Sequence, residues 1–197
     1  GPAVHETELR QLLDAVPNDV LVVLDEAYVE FVRDPAVADG PALLREYPNL
    51  VVLRTFSKAY GLASLRVGFA VARPEVADVV RSVSTPFGVS GIAQAAALAS
   101  LEPEAELDLM SRVNSVVYER DRVAAALANA GWSIPEAQGN FVWLPLGEQA
   151  LEFAQSSQEA GILVRPFAGS GVRVSIGEPE ANDVFIALAR NWRQNRG

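Results

Sequence analysis

Two uninterrupted apolar runs, Val20-Leu21-Val22-Val23-Leu24 and Leu50-Val51-Val52-Leu53, constrain this chain more than any other feature of its sequence. A strand with one face in water alternates apolar and polar residues; these runs do not, and they read as strands of a parallel sheet buried on both faces. They are far too short to span a bilayer. A helix over about Gly40 to Tyr47 lies between them, so the order is strand, helix, strand, the crossover unit of an α/β sheet. Ahead of the first run, Leu9, Leu12, Leu13 and Val16 fall at helical spacing until Pro17-Asn18-Asp19 breaks the pattern. A third strand, Arg66 to Ala72, stops at Arg73-Pro74, and Pro74 suits the first turn of another short helix.

Beyond Ser90 the text changes. Ser90 to Ala130 is almost wholly helical, interrupted near Pro103, and Glu104 to Ala130 would run roughly 40 Å at about 1.5 Å per residue. A helix of that length often bridges two substructures. After Gly131 come a strand at Phe141 to Leu144, a helix at Gln149 to Ala160, strands at Ile162 to Arg165 and Val172 to Ile176, and a last helix at Ala181 to Trp192. These make a small α+β unit. The boundary is expected inside the long helix, near Arg112, dividing the chain into residues 1–112 and 113–197.

Composition excludes several functions. Half of the 197 residues are hydrophobic, which supports a packed core and rules out a disordered chain. The net charge of −9 argues against nucleic-acid binding and against a polybasic membrane anchor. There is no cysteine, so disulfides, thiol catalysis and zinc–thiolate sites are out. With His5 as the only histidine, histidine metal sites and serine–histidine triads are not expected, and no metal is predicted. The only methionine is Met110, so Gly1 is not a translation start; Gly1-Pro2 reads either as a tag scar or as native sequence from a longer protein. No signal peptide follows, and the default is a soluble, cytoplasmic protein.

The most telling side chain is Lys58. Of 16 basic residues, 15 are arginine and Lys58 alone is lysine. Either residue solubilises a surface, but only lysine sheds its proton near neutral pH and attacks a carbonyl. It lies in Arg54-Thr55-Phe56-Ser57-Lys58-Ala59-Tyr60-Gly61, just past the C-terminal end of a strand, where ligand sites in open α/β sheets sit. Thr55 and Ser57 supply hydroxyls and Arg66 a guanidinium fork, a set suited to a phosphate. Asp25 ends the other buried run, and Tyr28 follows it. If both strands share a sheet and a direction, Asp25 and Lys58 meet at one edge. A carboxylate for a protonated ring nitrogen, a tyrosine for a phenolic oxygen, a Schiff-base lysine and a phosphate-binding arginine are together what pyridoxal phosphate requires. Plainer readings stand beside this one: Lys58 as a chance surface charge, its loop as an ordinary polar turn with Ser57 capping a helix, and Asp25 as a helix N-cap. A Schiff-base aldolase would explain Lys58 but leave Asp25, Tyr28, Ser57 and Arg66 without work.

The segments Val23-Leu24-Asp25-Glu26-Ala27-Tyr28 and Arg54 to Phe69, with Asn140-Phe141-Val142-Trp143, Val164-Arg165-Pro166-Phe167 and Gly171-Val172-Arg173-Val174-Ser175-Ile176-Gly177, resemble the class-II aminotransferases. The resemblance is closest to the histidinol-phosphate/aromatic aminotransferase group and runs over essentially the whole chain. Ser64 stands where that family usually has glycine. The resemblance implies an α/β fold of pyridoxal-phosphate transferase fold type I, with the C-terminal half of the large mixed-sheet domain followed by the small α+β domain. It implies that Lys58 forms the internal aldimine and moves the proton, that Asp25 keeps the pyridine nitrogen protonated and that Tyr28 bonds the cofactor hydroxyl. Thr55, Ser57 and Arg66 would bind the phosphate. Arg173 would clamp the substrate carboxylate, Asn140 would line the substrate site, and Arg165 would assist unless it is simply a surface charge at a strand edge.

The family's chains extend further at the N-terminal end, through an Asn-Pro-x-x-Pro-Thr-Gly element of which Gly1-Pro2 would be the tail. Missing strands should leave apolar faces and an unpaired edge exposed. The activity implied is amino transfer between a phenylalanine-like aromatic amino acid and 2-oxoglutarate, in a homodimer with small-molecule substrates. The Tyr60-Gly61-Leu62 and Val164-Arg165-Pro166-Phe167 stretches resemble the aromatic branch more than the histidine-biosynthesis branch. The alternatives are a histidinol-phosphate aminotransferase and a non-catalytic fragment that keeps the motifs without turnover.

Overall fold

The computed structural model describes residues 2–195. It divides into two compact units, which part inside one long helix between Arg112 and Val113.

The first unit opens with α1 (Glu6–Ala15), which buries Leu9 and Leu13. The single histidine has a structural task there: its backbone N–H donates to Glu8 Oε2 at 3.2 Å and its ring Nε2 lies 2.9 Å from Asp34. Strand β1 (Val22–Asp25) pairs parallel with β2 (Leu50–Thr55), in a register that runs from Val22 opposite Leu50 to Asp25 opposite Leu53. Strand β3 (Gly68–Val71) returns antiparallel along the other side of β2, so β2 is central in a mixed sheet of order β1-β2-β3. Leu9, Leu13, Leu43, Leu50 and Val52 form the core on one face, with Val22 and Leu24 packed against it.

Two sequence expectations need correction here. The first apolar run is not a strand buried on both faces: β1 starts only at Val22, and Val23 is 55% exposed. Its alternate residues Val22 and Leu24 meet the α1 side of the sheet, while Val23, on the other side, is left exposed by the described residues. Only β2 has the expected burial of successive residues, at Leu50, Val51 and Val52. The helix expected to reach Tyr47 is α2 (Gly40–Leu43). Pro48 disfavours helical backbone at the residue before it, and the chain closes with Leu50 N donating to Tyr47 O at 3.2 Å.

Helix α3 (Pro74–Val83) carries its proline in the first turn and buries none of its residues. Val79 is 65% and Val83 80% exposed, and Val23 and Phe69 of the sheet are exposed as well. Among the described residues neither β1 nor β3 has a further strand at its outer edge. Helix α4 (Gly91–Ala99) is capped by Ser90, whose side-chain oxygen accepts from Ala93 N at 3.2 Å. Helix α5 (Pro103–Asn129) is the long helix expected from the sequence.

The second unit holds β4 (Phe141–Gly147), α6 (Ala150–Glu159), β5 (Arg165–Phe167), β6 (Ser170–Ser175) and α7 (Pro179–Gln194). The strands are antiparallel in the order β4-β6-β5. Val142, Leu144, Phe153, Val172 and Phe185 form its core with Trp132, whose indole N–H donates to Ala189 O at 3.1 Å. The strand expected at Ile162 to Arg165 lies later, over Arg165–Phe167. The reason is the tight turn at Ala168-Gly169, where Gly169 has φ +71° and fixes a hairpin pairing Phe167 with Gly171 and Arg165 with Arg173. Gly171 is required in its own right: a Cβ there would sit 2.3 Å from Leu144 O and 2.6 Å from the Trp143 ring. No helix among the described residues is long and apolar enough to cross a membrane.

Candidate active site

In the first unit, the parallel pairing of β1 and β2 brings their C-terminal ends to one edge of the sheet. Asp25 is the last residue of β1 and is exposed there; its Oδ1 accepts from Ala27 N at 3.0 Å and turns the chain toward Tyr28. Lys58 follows the end of β2 and is also exposed. Its Nζ stands 5.5 Å from the centroid of the Tyr28 ring, so the lysine loop and the Asp25–Tyr28 turn face each other. Lys58 makes no ion pair with a carboxylate among the described residues, which keeps its amine available.

The lysine loop is held by apolar packing from beneath. Phe56 is buried against Val67, Ala93 and Ala97, with the Tyr60 ring 4.7 Å and the Phe69 ring 5.9 Å from its own. Backbone bonds close the loop around Lys58: Gly61 N donates to Lys58 O at 3.0 Å and Leu62 N to Phe56 O at 2.9 Å. Gly61 takes φ +72°, a conformation glycine adopts without cost. The aromatic side chains thus anchor the ends, and the lysine projects from a fixed turn.

The hydroxyl and guanidinium groups expected to bind phosphate also gather here. Thr55 Oγ1 accepts from Ser57 N at 3.0 Å. An Arg66 terminal nitrogen is 3.5 Å from Ser57 Oγ and donates to Ala63 O at 2.7 Å. Arg66 has φ 54°, a left-handed conformation that costs a non-glycine residue of order 1–3 kcal/mol and is typical of functional sites.

Behind this edge lies a feature to which the sequence reading gave no role. Glu26 points to the opposite face from Asp25 and is buried. Its Oε1 accepts from Gly40 N at 2.8 Å, and its Oε2 faces Arg54 Nε at 2.9 Å and an Arg54 terminal nitrogen at 2.8 Å. Gly40 has room for no side chain, since a Cβ would come within 2.6 Å of that Oε1 and 2.8 Å of Val52. The signal was present in the two adjoining motifs, but the contact joins positions distant in the chain and depends on the strand register.

The remaining candidates lie in the second unit. Arg165 and Arg173 are cross-strand partners on β5 and β6, and Trp143 of β4 is opposite Arg173. The three occupy one row across the sheet. Arg173 lies 5.5 Å from the Phe141 ring centroid and Arg165 5.9 Å from that of Phe167. Neither guanidinium has a carboxylate partner among the described residues, so this pair of like charges is unneutralised. Asn140 immediately precedes β4, and its carbonyl accepts from Ile176 N at 2.9 Å. No group of three or more acidic or histidine residues able to hold a metal occurs among the described residues.

The family model for aminotransferase class I and II matches residues 1–188. The chain belongs to the class I and II aminotransferase family. Among its aminotransferase relatives, the aromatic amino acid aminotransferase of Streptomyces avermitilis is 58% identical over 194 residues, covering 98% of this chain and 54% of the relative. The same-named protein of Thermobifida fusca is 59% identical over 192 residues, covering 98% and 53%. The chain therefore spans about half the length of the curated relatives it matches. A histidinol-phosphate aminotransferase from Sinorhizobium meliloti, solved in complex with pyridoxal 5'-phosphate, superposes with a TM-score of 0.82 at 28% identity, over 100% of this chain and 55% of that one. A putative histidinol-phosphate aminotransferase from Erwinia carotovora atroseptica gives 0.84 at 27%, over 98% and 56%. The fold is accordingly fold type I of the pyridoxal-phosphate-dependent transferases, as the sequence resemblance implied.

Proposed function

We propose that the full-length protein carrying this chain is a transaminase that moves an amino group between a phenylalanine-like aromatic amino acid and 2-oxoglutarate through pyridoxal phosphate. The observation that carries the reading is the parallel β1–β2 edge, where Lys58 Nζ stands 5.5 Å from the Tyr28 ring beside the turn begun by Asp25. Support for the aromatic substrate comes from relatives at 58 and 59% identity that carry the aromatic name. The histidinol-phosphate alternative rests on structures at 28 and 27% identity and is the weaker reading.

The donor set fits the cofactor: an exposed carboxylate, a phenol, an amine without a carboxylate partner, and a hydroxyl–guanidinium cluster for a phosphate. When bound, pyridoxal phosphate supplies a sink for the electrons left on the substrate's α-carbon. In this reading Lys58 Nζ would anchor the cofactor and would then take and return the substrate's α-proton. The Asp25 carboxylate would hold a proton on the ring nitrogen, and the Tyr28 hydroxyl would donate to the phenolic oxygen. Thr55, Ser57 and Arg66 take the phosphate. We assign the cofactor residues to 1–112 and the substrate-carboxylate residues to 113–197, where Arg173 binds the carboxylate, Arg165 assists and Asn140 lines the site. A homodimeric, cytoplasmic enzyme completes the proposal, and gel filtration of the full-length protein tests the first of these.

The test is to add pyridoxal phosphate to the full-length protein, follow the visible absorption band, reduce with borohydride and map the label. A label on Lys58, with amino transfer from phenylalanine or tyrosine to 2-oxoglutarate faster than from histidinol phosphate, is expected. The absence of a band, or a label elsewhere, would refute the cofactor reading, and a band without amino transfer would favour a non-catalytic role. Arg173→Lys should raise KM for donor and acceptor by about 10- to 100-fold, because a lysine keeps the charge but not the two-pronged geometry. An unchanged KM for both would remove Arg173 from the site.

A further inference from the structure

The two halves of the cofactor site descend from different strands. Asp25 ends β1 and Tyr28 follows it, while Thr55 ends β2 and Ser57 and Lys58 follow it. Beyond the last paired rung, Asp25 opposite Leu53, one backbone bond continues the pairing: Glu26 N donates to Leu53 O at 2.9 Å. Among the described residues the strand pairing of β1 with β2 goes no further toward the Asp25–Tyr28 turn and the lysine loop. The only ion pair joining these two segments among the described residues is that of Glu26 with Arg54.

We propose that the Glu26–Arg54 pair, whose carboxylate is buried and locked to the Gly40 amide, is a positioning clamp that fixes the spacing between the Asp25–Tyr28 turn and the Lys58 loop. The inference rests on the pyridoxal-phosphate reading above. Glu26 adjoins Asp25 in the chain, and Arg54 adjoins Thr55, so each member of the pair sits next to a residue that would hold the cofactor in that reading. The Glu26 side chain is 6% exposed and the Arg54 side chain 30%, so water competes poorly for the carboxylate. Three donors converge on that carboxylate, from Gly40 on one oxygen and from two Arg54 nitrogens on the other. Two Arg54 nitrogens share Oε2 while the Gly40 amide holds Oε1, so the contact specifies both distance and orientation. The same Arg54 charge acts on Glu30, whose carboxyl is pushed above its usual range by burial and pulled back by Arg54. The pair lies on the opposite face of the strand from Asp25, so it acts through its neighbours and touches no substrate.

The experiment compares the full-length protein with Glu26→Gln, Arg54→Met and Arg54→Lys. Glu26→Gln retains shape and the acceptor for Gly40 N, but turns an NH2 toward the Arg54 donors. Two readouts are taken: amide hydrogen exchange without cofactor, and kcat and KM scaled to the pyridoxal phosphate bound. A displacement of about 1 Å in a reacting group costs on the order of 10²-fold in rate. Glu26→Gln and Arg54→Met are therefore expected to lower kcat per bound cofactor by about that factor, with KM for the amino donor within about twofold of the parent value. Arg54→Lys, which keeps the charge and loses the second donor to Oε2, should recover only part of the loss. Exchange at the Gly61 and Leu62 amides should rise by at least about tenfold in the two disruptive variants and stay unchanged in β4. Unchanged exchange at those amides would overturn the clamp whether or not cofactor binds. Faster exchange with a normal kcat per bound cofactor would overturn the positioning role and leave a purely structural pair. If Arg54→Met does not fold, Glu26→Gln alone decides. If the parent protein shows no cofactor band, the pyridoxal-phosphate reading fails and the positioning role fails with it, while the exchange data separately report whether the two loops are tied.

Discussion

Lys58→Ala in the full-length protein should abolish the borohydride-stable label and lower amino transfer by on the order of 10⁴-fold or more. The size follows from two tasks falling on one atom. Lys58 is the only lysine in the chain, and its Nζ stands over the Tyr28 ring. An arginine cannot substitute: its guanidinium stays protonated and neither attacks an aldehyde nor relays a proton near neutral pH. Lys58→Arg should therefore be as inactive as Lys58→Ala while preserving the positive charge over the ring. That comparison separates chemistry from electrostatics. Lys58 is exposed and outside the core of the first unit, so both variants should keep the thermal stability of the parent protein. An external amine such as methylamine should restore part of the proton-transfer rate in Lys58→Ala and none in Lys58→Arg, where the space is filled. Retention of more than about a hundredth of the parent rate by Lys58→Ala would be incompatible with the role assigned to this residue.

The lysine was legible because it broke a compositional bias at the end of a readable strand, and Asp25 because it ended another. Their meeting at one edge required only that β1 and β2 run the same way, which the strand–helix–strand order already favoured. Less was legible wherever burial depended on what lies across a face. The run ending at Leu24 has the composition of a strand buried on both sides, yet Val23 faces out because composition reports an affinity for burial and not the presence of a covering element. The position of β5 was misjudged for a related reason. Ile162 and Val164 look more like strand than Pro166 does, but the Gly169 turn sets the pairing, and Pro166 is tolerated in a short strand at the sheet edge. The Glu26–Arg54 pair was hidden although both residues sat in the quoted motifs. A side-chain pair between neighbouring strands follows from register, and register is written in no single segment.

The second large effect is expected at Asp25, and the structure dictates how to look for it. Asp25 has a local structural duty as well as its proposed chemical one, since its Oδ1 accepts from Ala27 N at 3.0 Å and shapes the turn that carries Tyr28. Asp25→Ala removes both at once, so a loss of activity in that variant would not identify the cause. Asp25→Asn keeps a carbonyl oxygen for the Ala27 amide and removes only the negative charge. A carboxylate favours the protonated form of a nearby ring nitrogen, and a neutral amide does not. Without that proton the ring draws electrons from the α-carbon less strongly, and loss of the α-proton slows. Asp25→Asn should therefore bind pyridoxal phosphate with an intact visible band and a label still on Lys58. Its kcat should nevertheless fall by on the order of 10²- to 10³-fold, the range seen when one preorganised electrostatic partner is removed. The substrate α-deuterium isotope effect should rise toward its full value, because proton removal becomes the slow step. Addition of a cofactor analogue with a permanently methylated ring nitrogen, whose positive charge needs no carboxylate to hold it, should recover most of the lost rate in Asp25→Asn and little in Lys58→Ala. If Asp25→Asn turned over at the parent rate, the carboxylate would be a turn-former alone, and the electron sink would have to be sustained by some other group at this edge of the sheet.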